Sequence, residues 1–97
     1  MKKANEPGIR ILIAEDHPVV ADGIMAVLAK AKDMVVVGHA RDGAEAITLL
    51  QQHQPDIVLL DLRMPVVDGI GVVRWIQHSG LNARTIILTG AQARFTQ

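Results

Sequence analysis

The chain has 97 residues, room for one domain at most, since single domains usually run to about 50 to 200 residues. Its 10 basic and 10 acidic residues cancel to a formal net charge of zero, which argues against a nucleic-acid-binding module with a clustered basic excess. Apolar residues make up 49% of the chain, too many for a disordered tail, and the lack of cysteine excludes disulfide scaffolds, thiolate zinc sites and cysteine nucleophiles.

In chain order, residues 1–8 carry Lys2 and Lys3 but no apolar run behind them. No apolar stretch approaches the roughly 20 residues of a spanning helix, so a cytoplasmic globular domain with no membrane contact is expected. The first β-branched run is Ile9-Arg10-Ile11-Leu12-Ile13-Ala14, stopped by Glu15-Asp16. Pro18 then fits the first turn of a helix, whose apolar spacing runs through Val20, Ile24, Val27, Leu28 and Ala31. A second strand follows at Met34-Val35-Val36-Val37, and a second helical pattern at Ala46, Ile47 and Leu50. The third strand is predicted at Asp56-Ile57-Val58-Leu59-Leu60, ending in Asp61. A third helix follows through Ile70, Val73, Trp75 and Ile76, between Asp68-Gly69 and Gly80. The fourth strand is predicted at Thr85-Ile86-Ile87-Leu88, ending in Thr89, with Gly90 and Ala91 behind it. Near-continuous apolar strands alternating with helices imply a parallel sheet covered on both faces, with any ligand site beyond the carboxyl ends of the strands.

At that rim the pattern brings together Glu15, Asp16 and Asp61, each directly behind an apolar strand. Carboxylates so placed repel one another, and a hard divalent cation, magnesium above all, is their natural partner. The bland alternative is that each is a solvated acid at the start of a loop. Thr89 offers a hydroxyl beside the cluster, although alone it reads equally as the end of a strand. In the loop after Asp61, Pro65 biases Met64 toward extended geometry and Asp68-Gly69 is a turn and helix-start signal, so a rigid loop could present a backbone carbonyl to the metal. The four histidines, His17, His39, His53 and His78, show no close metal-ligand spacing, and His17 reads as part of the loop before the first helix. Gly38, Gly43, Gly69 and Gly71 form no phosphate-cradling loop.

Glu15-Asp16, the strand 56–61, Met64-Pro65 with Asp68-Gly69, and Thr89 together resemble the receiver domain of bacterial two-component response regulators. The stretch Ala14-Glu15-Asp16-His17-Pro18-Val19-Val20 with Asp22-Gly23-Ile24 looks most like the LuxR/FixJ-type subfamily. The resemblance covers residues 9–91 and implies a three-layer, flavodoxin-like, doubly wound sheet of order 2-1-3-4. It implies Asp61 as phosphoacceptor toward a sensor histidine kinase, with magnesium held by Asp16, by Glu15 mainly through water, by Asp61 and by the Arg63 carbonyl. Thr89 would be the phosphoryl-binding switch, Met64, Pro65, Asp68 and Gly69 would support the loop, and Arg63 and Ala91 would sit where the phosphoryl lifetime is tuned.

The family pattern has five βα units and a lysine closing the fifth strand. Here all four lysines, Lys2, Lys3, Lys30 and Lys32, precede the third strand, and the only aromatics are Trp75 and Phe95. The expectation is therefore a receiver, residues 1–97, shortened at its C-terminal side, with no output domain and with weakened or absent phosphorylation. Two alternatives stand beside it: a non-switching fragment that forms a homodimer or domain-swapped oligomer through its open strand edge, and a phosphatase using Asp61 as nucleophile. The phosphatase reading is disfavoured because Arg63 stands where such enzymes place a second acid.

Overall fold

The computed structural model of the chain describes residues 8–88. Its elements run β1 (Ile9–Ala14), α1 (Pro18–Ala29), β2 (Met34–Ala40), α2 (Gly43–His53), β3 (Ile57–Asp61), α3 (Gly69–Ser79) and β4 (Arg84–Leu88). All three strand pairings are parallel, in the order β2-β1-β3-β4. The architecture is the doubly wound sheet expected from the sequence.

Side chains alternate across the strands and divide the core into two faces. Leu12 and Ala14 of β1 and Val58 and Leu60 of β3 pack with Ala46 and Leu50 of α2 and Val72 and Ile76 of α3. Trp75 packs against the edge of that cluster, at the helical spacing expected. Ile11 and Ile13 are buried on the opposite face, where α1 packs along β2 and contributes Ala21 as its buried residue.

Two sequence expectations are corrected here. The first helix ends at Ala29, so Ala31 lies beyond it, and Val20 and Val27 are 41% and 69% exposed. The contact of α1 with the sheet runs through small Ala21, which leaves Val19, Val20, Gly23, Ile24, Val27 and Leu28 lining an apolar groove. β2 runs three residues past Val37, through Gly38, His39 and Ala40. A bulge opposite Ile11 and Leu12 carries the pairing past Val37, and a Cβ on Gly38 would stand 3.1 Å from the Leu12 side chain.

The N-terminal ends of the strands are tied by polar bonds. The Arg10 guanidinium donates to the carbonyls of His53 and Gln54, its amide donates to Asp56 Oδ2, and the Asp56 carbonyl accepts from the Arg84 amide at 2.9 Å. No helix among the described residues is long and apolar enough to cross a membrane.

Candidate functional site

The carboxyl ends of the strands carry the chemistry. β1 stops at Ala14, and the next residue is held by the neighbouring strand: the Glu15 amide donates to the Ala40 carbonyl at 3.0 Å, and His39 Nε2 lies 2.9 Å from the Glu15 carbonyl. Because a carbonyl only accepts, His39 carries its proton on Nε2. The extended β2 therefore fixes the backbone of the first acid, whose side chain is buried. Asp61 is the last residue of β3, 8% exposed, and its Oδ1 accepts the Arg63 amide at 3.0 Å.

The loop that carries Asp61 is seated by two glycines. A Cβ on Gly69 would stand 2.6 Å from the Asp61 carbonyl oxygen and 2.7 Å from Leu62 Cα, so only glycine lets α3 begin this close to the phosphoacceptor candidate. A Cβ on Gly43 would stand 1.7 Å from the Val67 carbonyl oxygen, which brings the start of α2 against the same loop. Asp68 caps α3 through the Gly71 amide at 3.0 Å, and Met64 is buried in the core. The Pro65 carbonyl accepts the Gly43 amide at 3.5 Å. Val66, between these anchors, sits at φ 71° and is 79% exposed, a left-handed conformation that a β-branched residue adopts only under constraint.

The three acids expected to meet do meet. One ligand atom from each of Glu15, Asp16, Asp61 and also His17 lies within 4.8 Å of the others. His17 Nδ1 is 2.6 Å from Glu15 Oε2, 3.1 Å from Asp16 Oδ1 and 3.8 Å from Asp61 Oδ2. Asp16 Oδ1 is a buried atom that makes no hydrogen bond. Burial, above all, pushes the Asp61 carboxyl above the ordinary carboxylate range, opposed by the Arg63 amide and reinforced by Glu15. His17 is raised from its ordinary value, first by its bond to Glu15 and then by the charges of Asp16 and Glu15.

Sequence reasoning placed His17 only in the loop before α1, and it is indeed the residue that precedes that helix. Its membership of the acid cluster was missed; its signal was the direct succession Glu15-Asp16-His17-Pro18. The Arg63 amide is seen on Asp61, and nothing in the structure bears on its carbonyl as a ligand. Thr89 and the neighbouring Gly90 and Ala91 lie outside the described residues; Leu88, just before them, pairs with Asp61 across β3 and β4.

Comparison with known proteins agrees with this arrangement. The profile of the response regulator receiver domain matches residues 11–97. The transcriptional regulatory protein NarL of Mycobacterium tuberculosis is 36% identical over 81 residues, which cover 84% of this chain and 38% of that protein. The solved signal receiver domain of the response regulator NarL from Mycobacterium tuberculosis superposes with a TM-score of 0.81 at 35% identity, covering 84% of this chain and 66% of that one. A two-component response regulator of the LuxR family from Aurantimonas sp. SI85-9A1 gives a TM-score of 0.77 at 35% identity, covering 82% and 57%. The chain thus spans about two fifths of the length of the NarL relative. With the strand order, the acids at the strand ends and the Met64-Pro65 loop accounted for, the chain belongs to the response regulator receiver domain family, with relatives of the LuxR and NarL type.

Proposed function

We propose that residues 1–97 act as the phosphoacceptor module of a cytoplasmic two-component relay, with Asp61 taking a phosphoryl group from the phosphohistidine of a sensor kinase. The observation that carries this reading is the convergence of Glu15, Asp16 and Asp61 around an Asp16 oxygen that is buried without a hydrogen bond. A buried acceptor without a hydrogen bond is costly unless a cation serves it, and the nitrogen beside it, His17 Nδ1 at 3.1 Å, is already bonded to Glu15, so the residues fit a divalent ion. Asp16, Glu15 and Asp61, with the Arg63 carbonyl, would hold it; magnesium supplies neutralisation of phosphoryl charge when bound.

The chain's own residues supply position. The Arg63 amide fixes Asp61 Oδ1 and so the plane of the carboxylate, while the β3 strand and Gly69 hold its backbone. A carboxylate oxygen of Asp61 attacks phosphorus, a P–O bond forms, and the P–N bond to the donor imidazole breaks with its electron pair returning to that ring. Burial of Asp61 makes its oxygen more basic and a better nucleophile once the neighbouring charge is neutralised. Thr89 is proposed to receive the phosphoryl oxygens, Met64, Pro65, Asp68 and Gly69 to keep the loop rigid, and the phosphorylated state to be passed to a transcriptional output. The β4 edge, paired on one side only among the described residues, and the apolar groove on α1 favour a second copy of the chain as a further partner.

The test is amide NMR of the folded chain titrated with magnesium and beryllofluoride. Saturable shifts around Asp61 that need both additions, and that disappear in Asp61→Asn, are expected. Shifts of equal size in Asp61→Asn, or none in a folded wild-type sample, would overturn the reading.

A further inference from the structure

The geometry points to His17 as a nitrogen ligand of the acid pocket, one that turns its preference from magnesium toward a first-row transition ion. This rests on the reading above that Glu15, Asp16 and Asp61 take a divalent cation. Three observations carry it.

The first is that one ring nitrogen faces three carboxylates. His17 Nδ1 stands within 4 Å of an oxygen on Glu15, Asp16 and Asp61, with the shortest distance 2.6 Å to Glu15 Oε2. It already occupies a position among the oxygens where a cation would be coordinated.

The second is that the ring is not used by the helix it precedes. His17 is the N-cap of α1, yet its side chain makes no capping bond. Pro18 at the first helical position favours extended backbone at His17, and the observed φ of −94° and ψ of 111° comply. The His17 amide donates to Glu15 Oε2 at 3.1 Å, which turns the residue back over the acids rather than along the helix.

The third is that the ring lies at the mouth of the pocket. Its side chain is 65% exposed against 4% for Glu15 and 11% for Asp61, so an arriving ion meets the imidazole and the buried carboxylates together. The proton that Nδ1 shares with Glu15 would give way to the metal and pass to solvent.

Donor chemistry then sets the preference. Magnesium favours an all-oxygen shell and keeps several waters, whereas imidazole nitrogen suits ions of the cobalt, nickel and zinc series. Three carboxylates and one imidazole form a mixed set that the second group uses fully and magnesium does not.

The experiment measures Co2+ and Mg2+ binding separately by calorimetry on the 97-residue chain at one fixed pH. The visible absorption of bound Co2+ reports nitrogen ligation, and circular dichroism checks the fold of each variant. Wild type is expected to prefer Co2+, and His17→Ala to lower the Co2+ to Mg2+ affinity ratio by about tenfold or more, with loss of the nitrogen-sensitive absorption. His17→Gln, which keeps a polar side chain but no ring nitrogen, is expected to behave like His17→Ala. Asp16→Asn is expected to lose both ions, which assigns them to this pocket.

An unchanged ratio in both His17 variants overturns the inference. So does Co2+ binding that survives Asp16→Asn, which would belong to other histidines. Magnesium binding without a His17-dependent preference overturns this inference and leaves the phosphoacceptor reading standing; a folded wild type that binds neither ion overturns both.

Discussion

At the scale of single residues, the pocket makes the chain's stability depend on pH in one direction. His17 is raised in the folded state, so its favourable contribution is fully present below its ordinary value of about 6.5 and is lost as pH rises through the raised value. Asp61 is raised as well. The folded chain therefore holds a proton on it that the unfolded chain has already released, and stability again falls as pH rises upward from the ordinary carboxylate range. Without divalent cations, the urea midpoint is expected to decline as pH rises above the ordinary histidine value of about 6.5, and His17→Ala should remove that part of the decline. Parallel profiles for wild type and variant would show that His17 does not couple to folding. The three acids were legible in the sequence because each follows directly on an apolar strand, and strand ends in a parallel sheet meet at one rim. His17 was not, because its approach to Asp61 depends on the turn imposed by Pro18 and on the bond from its own amide to Glu15, neither of which is a spacing.

At the scale of elements, the loop after β3 is held as much by α2 as by α3. Gly43→Ala would drive a methyl group into the Val67 carbonyl, where a Cβ stands at 1.7 Å. A destabilisation of about 2 to 3 kcal/mol is expected from such overpacking, measured by urea denaturation. A change below about 0.5 kcal/mol would mean that the loop moves freely away from α2. This contact joins residues 24 positions apart and leaves no trace in local periodicity, so the sequence showed Gly43 only as a glycine outside any phosphate loop. By contrast, β1, β3 and the starts of α1 and α3 were readable from β-branched runs, Pro18 and Asp68-Gly69. α1 was readable as a helix but not in its exposure: its apolar spacing identified a face, and only the packing of Ala21 shows that much of that face looks outward. The end of β2 was missed for a related reason, since Gly38 is a poor strand former held in place by the bulge, and His39 is fixed by the Glu15 backbone.

At the scale of the whole molecule, apolar surface lies open on both sides of the sheet's last described strand. Ile86 is 49% exposed and Ile87 40%, on opposite faces of β4, and Val27 adds to the groove on α1. Among the described residues β4 is paired on one side only. The 97-residue chain is expected to self-associate, seen as a sedimentation mass that rises with concentration. A Val27→Lys and Ile86→Lys double variant should raise the dissociation constant by about tenfold or more, because each lysine would be buried without a partner. A wild-type chain that sediments as a monomer at every concentration would remove the second copy from its partners. The knot of bonds around Arg10 has a consequence of another kind. It collects polar satisfaction at the pole of the sheet opposite the acids, with the backbones of α2, β1, β3 and β4 joined there through His53, Gln54, Asp56 and Arg84. The fold thus has one pole knotted by hydrogen bonds between its elements and one pole of converging charge, at opposite ends of the same strands.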